Sequence, residues 1–302
     1  MALASVVGAL GSRPAAAIPA RPRVADEIAR GDLTARPEPL QPPAQGAITV
    51  AFPISEGVTM IDFCGPWDVF ESVRLLEHPH PLFHLYTVAE TIDTVTAHGG
   101  IRLCPGFTLA TAPAPKIIVI PGQDRPGEAL VEWIRTASAH TDLTMSVCTG
   151  AFILAQTGLL RGKAATTHHN SYTELSMQFP DIDLKRGARF VEVGNLATAG
   201  GRYSGIDLAL RVVERYFGRD TALDTAYYLE YQGQGWLDMN SNQVYRKRLV
   251  STAEHPLCPV CEMSVDPDSS PVSVYRGSAY YFCMLRHKLE FDGAPEKFLA
   301  AL

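Results

Sequence analysis

Residues 143–158 read LTMSVCTGAFILAQTG, and the order of residue types within them decides the fold. Leu143, Thr144, Met145 and Val147 make a β-prone run, Cys148 follows, and Thr149 and Gly150 open an amphipathic stretch with Phe152, Leu154 and Ala155. That is the pattern of a strand, a sharp elbow and a helix, with one thiol at the elbow. A cysteine there sits over the first turn of a helix, where unpaired N–H groups and the helix dipole favour a thiolate. Cys148 is thus the candidate nucleophile; the other use of a free cysteine is as a small buried hydrophobe.

The alternation continues on both sides of the elbow. ITVAFPI from Ile48 and FHLYTVAE from Phe83 read as strands, IRLCPGFTL from Ile101 as part of a hairpin or a short strand, and KIIVIPG as a buried parallel strand ending in Gly122. In MIDFCGPWDVFESVRLL the apolar residues recur at helical spacing from Trp67 onward, Pro66 suits a first turn, and Asp62 lies in the preceding loop or that turn. A helix is expected over 127–139, a short strand near Ala164, then the polar segment TTHHNSY, a strand pair in FVEVGNLATAG and a helix in GIDLALRVVERYFG. Strands alternating with helices imply an α/β fold with a doubly wound, mostly parallel sheet of the flavodoxin-like kind. Sites in such sheets form at the carboxyl ends of strands, where Gly122, Cys148 and residues 167–169 fall.

The 302 residues exceed one ordinary domain, so an accessory piece is expected. A net charge of −6 without a long basic run argues against a nucleic-acid partner. Near the start, Ala2 to Leu10 are apolar and small residues follow at 15–17, which reads either as a secretory signal lacking its basic leader or as a disordered tail. The compartment is accordingly cytoplasmic or periplasmic, and the run is too short to span a bilayer. Residues 21–46, rich in Pro, Ala and charge, read as a linker. Four segments result: a leader and linker over 1–47, the main domain over 48–238, a polar helical connection over 239–254 and a small module over 255–302.

Several motifs in order, VIPG at 119–122, SVCTGAFILAQTGLLRGKAATTH at 146–168 and TAGGRYSGIDLAL at 198–210, resemble the ThiJ/PfpI family of the class I glutamine amidotransferase-like superfamily. IDFCGPWDVF at 61–70 and YYLEYQ at 227–232 are most similar to its isonitrile hydratase group. The resemblance implies a cysteine-dependent hydro-lyase that works without a catalytic cofactor on a small molecule, usually as a homodimer. Cys148 matches the nucleophile, Thr149 the residue that helps position the reacting groups, Asp62 the acid that hydrogen-bonds the sulfur, and Gly122 the glycine whose backbone N–H faces the thiol. Where the family commonly has a second glycine, this chain has Gln123, a side chain at the pocket; His168 is a further candidate for its lining. Related enzymes run glyoxalase-like or deglycase-like chemistry on small aldehydes, and the same domain occurs fused to DNA-binding modules, so a metal or oxidant sensor is the non-enzymatic alternative. For Asp62 the residues alone also allow an N-cap, and Asp207 is read as capping or packing its helix.

HPLCPVCEMSVDP and SVYRGSAYYFCMLRHKLEF, with PEKFL, resemble a YHS domain over about residues 255–302. The spacing Cys258-x2-Cys261, then Cys283-x3-His287 at a helix start, offers three sulfurs and one nitrogen, a set that suits zinc or another soft metal. The family usually has Cys at the last position, so His287 is a departure that zinc accepts. A disulfide between Cys258 and Cys261 is the alternative in an exported chain. Cys64 and Cys104 are read as structural.

Overall fold

The computed structural model describes residues 38–75, 80–124, 126–246, 251–252 and 254–299. The leader, with the linker as far as residue 37, lies outside the described residues, as does part of the connection at 247–250. In chain order the elements are β1 (Ile48–Pro53), α1 (Met60–Glu71), β2 (Phe83–Ala89), β3 (Val95–Thr96), β4 (Arg102–Leu103), β5 (Phe107–Thr108), β6 (Ile117–Ile120), α2 (Glu128–Ser138), β7 (Leu143–Val147) and α3 (Gly150–Gln156). There follow β8 (Ala164–Ala165), a 3-10 turn (His169–Ser171), α4 (Tyr172–Gln178), β9 (Asp183–Leu184), β10 (Phe190–Val193), β11 (Leu196–Ala199), α5 (Ser204–Phe217) and α6 (Arg219–Tyr228). The C-terminal module adds β12 (Val272–Tyr275), β13 (Ser278–Tyr281), α7 (Leu285–Gly293) and α8 (Pro295–Leu299).

Seven strands form one sheet in the order β10-β11-β7-β6-β1-β2-β5, parallel throughout except for the β10–β11 pair. The fully buried IIVI of β6 shows why the sheet is covered on both faces. Ile117 and Val119 pack with α1 and α5 residues such as Phe70 and Leu208, whereas Ile118 and Ile120 pack with Leu130, Ile134 and Leu154 of α2 and α3. A period of two thus feeds two separate cores from one apolar run.

Two expectations change. The helix expected from Trp67 begins at Met60, so Asp62 is in its first turn and Pro66 is inside it rather than at its start. Proline there removes the N–H that would bond the carbonyl of Asp62, and Gly65 and Pro66 are buried with Ile206 and Gly205 of α5 against them. The connection after 238, expected to be helical, holds a 3-10 turn at Gln243–Tyr245 among its described residues.

The C-terminal module has a separate core of Val260, Val265, Phe282, Phe291 and Phe298 around Cys258 and Cys261, and Met177 of α4 packs against it. No helix among the described residues is long and apolar enough to cross a membrane.

Candidate functional site

Cys148 sits between β7 and α3 with φ of 57°, a left-handed conformation that a non-glycine residue adopts only where its surroundings impose it. Its N–H is held by the carbonyl of Ala199 at 3.1 Å, and its carbonyl accepts the Thr167 hydroxyl at 2.9 Å, so β11 and the segment after β8 fix the elbow from two sides. Gly150 must be glycine, because a Cβ there would collide with the carbonyl of Ile120.

Asp62 reaches the same place from α1 and is fully buried. The N-cap of this helix is Thr59, so capping does not explain Asp62. Its Oδ2 accepts the Gly122 N–H at 3.1 Å, and Oδ1 has no hydrogen-bond partner among the described residues. Gly122 thus gives its N–H to the carboxyl that stands beside the thiol. Its lack of a side chain is required as well, since a Cβ would meet Thr149 Oγ1 and Asp62 Oδ2.

Burial sets the electrostatics. It pushes Asp62 up to about 7, outweighing the Gly122 hydrogen bond, the charge of Arg202 and the Cys148 thiol, which all lower it. It likewise pushes Cys148 up to about 12, helped by the Asp62 charge and opposed by the N–H and hydroxyl of Thr149 and by Arg202. Burial thus disfavours the charged form of both groups and works against the thiolate that the helix terminus favours.

Gln123 Oε1 accepts the Ser55 hydroxyl at 2.8 Å and Nε2 donates to the carbonyl of Pro53 at 3.2 Å, tying the glycine turn to the end of β1. His168 accepts the Asn170 N–H on Nδ1 at 3.3 Å and is held neutral, pushed down to about 4 chiefly by burial and further by His169 and Arg202. Asp207, buried on α5, accepts from Arg189 Nε at 2.6 Å rather than capping its helix.

Arg202 was not singled out by sequence reasoning, although it lies in the quoted TAGGRYSGID. It is exposed, in the turn between β11 and α5, and its charge bears on Asp62, Cys148 and His168 alike. Because that charge lowers the Asp62 value, Arg202→Gln is expected to move the acid limb of any Asp62-dependent activity to higher pH, read from a kcat/KM profile. A cavity of about 550 Å³ lies nearby between α1 and α5, lined by Ile61, Phe63, Trp67, Ile206, Leu229 and Tyr231, and Cys148 does not line it.

A family model described as DJ-1/PfpI matches residues 48–215. The chain belongs to the DJ-1/PfpI family. Isonitrile hydratase from Pseudomonas putida is 31% identical over 225 residues, which cover 73% of this chain and 94% of that one. The HTH-type transcriptional regulator GlxA of Rhizobium meliloti is 25% identical, over 57% of this chain and 54% of its own. Among solved structures, a ThiJ/PfpI family protein from Pseudomonas syringae superposes with a TM-score of 0.56 and 26% identity, covering 63% of this chain and 77% of that one. The flavodoxin-like α/β architecture of this DJ-1/PfpI domain agrees with the expected fold class.

The second cluster lies in the C-terminal module. The donor atoms of Cys258, Cys261, Cys283 and His287 all lie within 4.8 Å of one another. Cys261 and Cys283 sulfurs are 3.4 Å apart, and His287 Nδ1 is 3.2 Å from Cys283 Sγ and 3.6 Å from Cys258 Sγ. All six cysteines are free, so the disulfide alternative is not realised. With Zn–S near 2.3 Å, tetrahedral ligands stand about 3.5–3.8 Å apart, close to this spacing. The knuckle is closed by the Glu262 N–H on the carbonyl of Cys258 at 2.8 Å, with Glu262 at φ 62°. A hydrogen bond from Cys261 pushes the Cys258 thiol down, and Cys261 in turn is pushed up, so one sulfur of the pair is disposed to be a thiolate. A second grouping, Glu174, His287 and Glu290, shares His287 with the first.

Proposed function

We propose that the chain is a hydro-lyase of the isonitrile hydratase type, converting R–NC and water to the N-substituted formamide. The observation that carries this reading is the pairing of Cys148 with the buried Asp62, whose carboxyl titrates near neutrality. Asp62 takes the thiol proton as sulfur bonds to the terminal carbon, and the proton is passed to that carbon, giving the thioimidate R–N=CH–S–Cys148. Water then adds to the same carbon, the C–S bond breaks, the nitrogen gains a proton and the thiol is restored. Thr149, through its N–H and hydroxyl, stabilises the charge that develops on sulfur, as its effect on Cys148 indicates. Neutral His168 and the tethered Gln123 shape the pocket. The protein works as a homodimer on a small molecule, and the apolar groove between α1 and α5 offers a face for that contact.

The C-terminal module, YHS-like, holds zinc through Cys258, Cys261, Cys283 and His287, a set that supplies folding energy rather than catalysis. The test of the activity is to incubate the purified protein with an alkyl and an aryl isonitrile and follow formamide. Turnover supports the reading; no turnover, with methylglyoxal consumed instead, overturns it in favour of aldehyde chemistry.

A further inference from the structure

His287 has two faces. Its Nδ1 turns to the sulfurs of Cys283 and Cys258, and the other, Nε2, lies 3.8 Å from Oε2 of Glu174. Glu174 belongs to α4 of the DJ-1/PfpI domain, 113 residues earlier in the chain, and is buried to 8% exposure. Around this contact the module is seated on the domain. Arg286 Nη2 donates to Glu174 Oε1 at 2.9 Å, the Thr173 hydroxyl donates to Glu262 Oε1, and Arg186 donates to Thr173 Oγ1 at 3.0 Å and lies 3.7 Å from Glu262 Oε2.

An ion pair with Arg286 and a hydrogen bond from Gln178 Nε2 at 3.0 Å, both made to Oε1, are a poor reason to bury a carboxylate, because the Arg286 side chain is 62% exposed and such pairs contribute little. Metal chemistry supplies a better one. Once Nδ1 binds a metal, the hydrogen of the imidazole must be on Nε2, which then needs an acceptor. Two groups stand near Nε2: Arg286 Nη2 at 3.3 Å, which can only donate, and the carboxylate of Glu174, which can only accept. We propose that Glu174 is a positioning residue of the metal centre, a carboxylate lent by the DJ-1/PfpI domain that fixes the tautomer and ring of His287. Metal affinity of the module is thereby tied to its docking on α4.

This inference rests on the metal centre proposed above, and the experiment separates the two. Zinc stoichiometry and affinity are measured on the full chain by competition with a chromophoric chelator, and cobalt(II) spectra report the thiolate ligands. The wild type is expected to bind one zinc tightly. Glu174→Gln, which keeps the shape, is expected to bind one zinc about 10- to 100-fold more weakly, with the thiolate-to-cobalt bands retained and affinity largely recovered in Glu174→Asp. Arg286→Ala, which removes the ion pair but leaves the acceptor, is expected to keep the wild-type affinity. Tight wild-type binding with Glu174→Gln unchanged overturns the role of Glu174 alone, as does an equal loss in Arg286→Ala, which would make it a docking residue. A second zinc lost in Glu174→Gln would make it a ligand with His287 and Glu290, and also overturns the proposal. A wild type that binds no zinc overturns the metal centre, and this inference with it.

Discussion

Cys148→Ala is expected to abolish formamide formation, and Asp62→Asn to lower kcat/KM by about 10²- to 10⁴-fold, the range of a lost general acid–base group. Neither change should cost the fold. Alanine is smaller than the buried thiol, and an asparagine carbonyl still accepts the Gly122 N–H that Asp62 takes at 3.1 Å. The wild-type rate should rise with pH through about 7, because the carboxylate must be free to receive the thiol proton and burial has pushed Asp62 to that value. Stability should run the other way. The folded value of Asp62 lies above its unfolded value, so its contribution is full below about 4 and is lost as pH rises through about 7. A shift from 3.8 to about 7 corresponds to about 4 kcal/mol. Asp62→Asn should therefore be more stable than the wild type at pH 8 and lose that advantage at pH 4, as measured by urea unfolding. Equal stabilities at both pH values, or an asparagine variant with wild-type turnover, would remove Asp62 from the chemistry.

What could be read in the sequence, and what could not, follows from the range of each interaction. The elbow was legible because strand, thiol and helix are contiguous, and the IIVI run because apolar residues on both faces of a strand leave no polar gap. The start of α1 was misplaced because Gly65 and Pro66 are poor helix residues, and their burial under Ile206 and beside Gly205 outweighs that local preference. The engagement of Gly122 by Asp62 joins residues 60 apart and has no local signature. Arg202 and Glu174 were missed for the same reason: one acts through space on three titrating groups, and the other meets its partners only because α4 and α7 pack together. The clustering of Cys258, Cys261, Cys283 and His287, by contrast, was legible in spacing, since Cys258-x2-Cys261 and Cys283-x3-His287 each place two donors within one turn.

Removing the proposed metal is expected to unfold the module and leave the DJ-1/PfpI domain intact. The module's core is seven buried side chains, two of them the proposed ligands Cys258 and Cys261, served by one two-stranded ladder and two short helices. A segment of this size buries too little apolar surface to balance its chain entropy, whereas a structural zinc contributes about 10–16 kcal/mol in comparable peptides. Chelation at neutral pH, or Cys283→Ser, should therefore make the segment after 254 susceptible to protease. It should also release Phe282, Phe291 and Phe298 from their packing and abolish the module's own thermal transition. The sheet that carries Cys148 has its own two cores and meets the module through contacts at α4 and Arg186, so turnover of an isonitrile should persist in the trimmed protein. If residues 255–299 stay protected after the metal is gone, the packing of Phe291 with Tyr280, Phe282 and Phe298 is sufficient by itself, and the cluster of sulfurs is not what holds the module together.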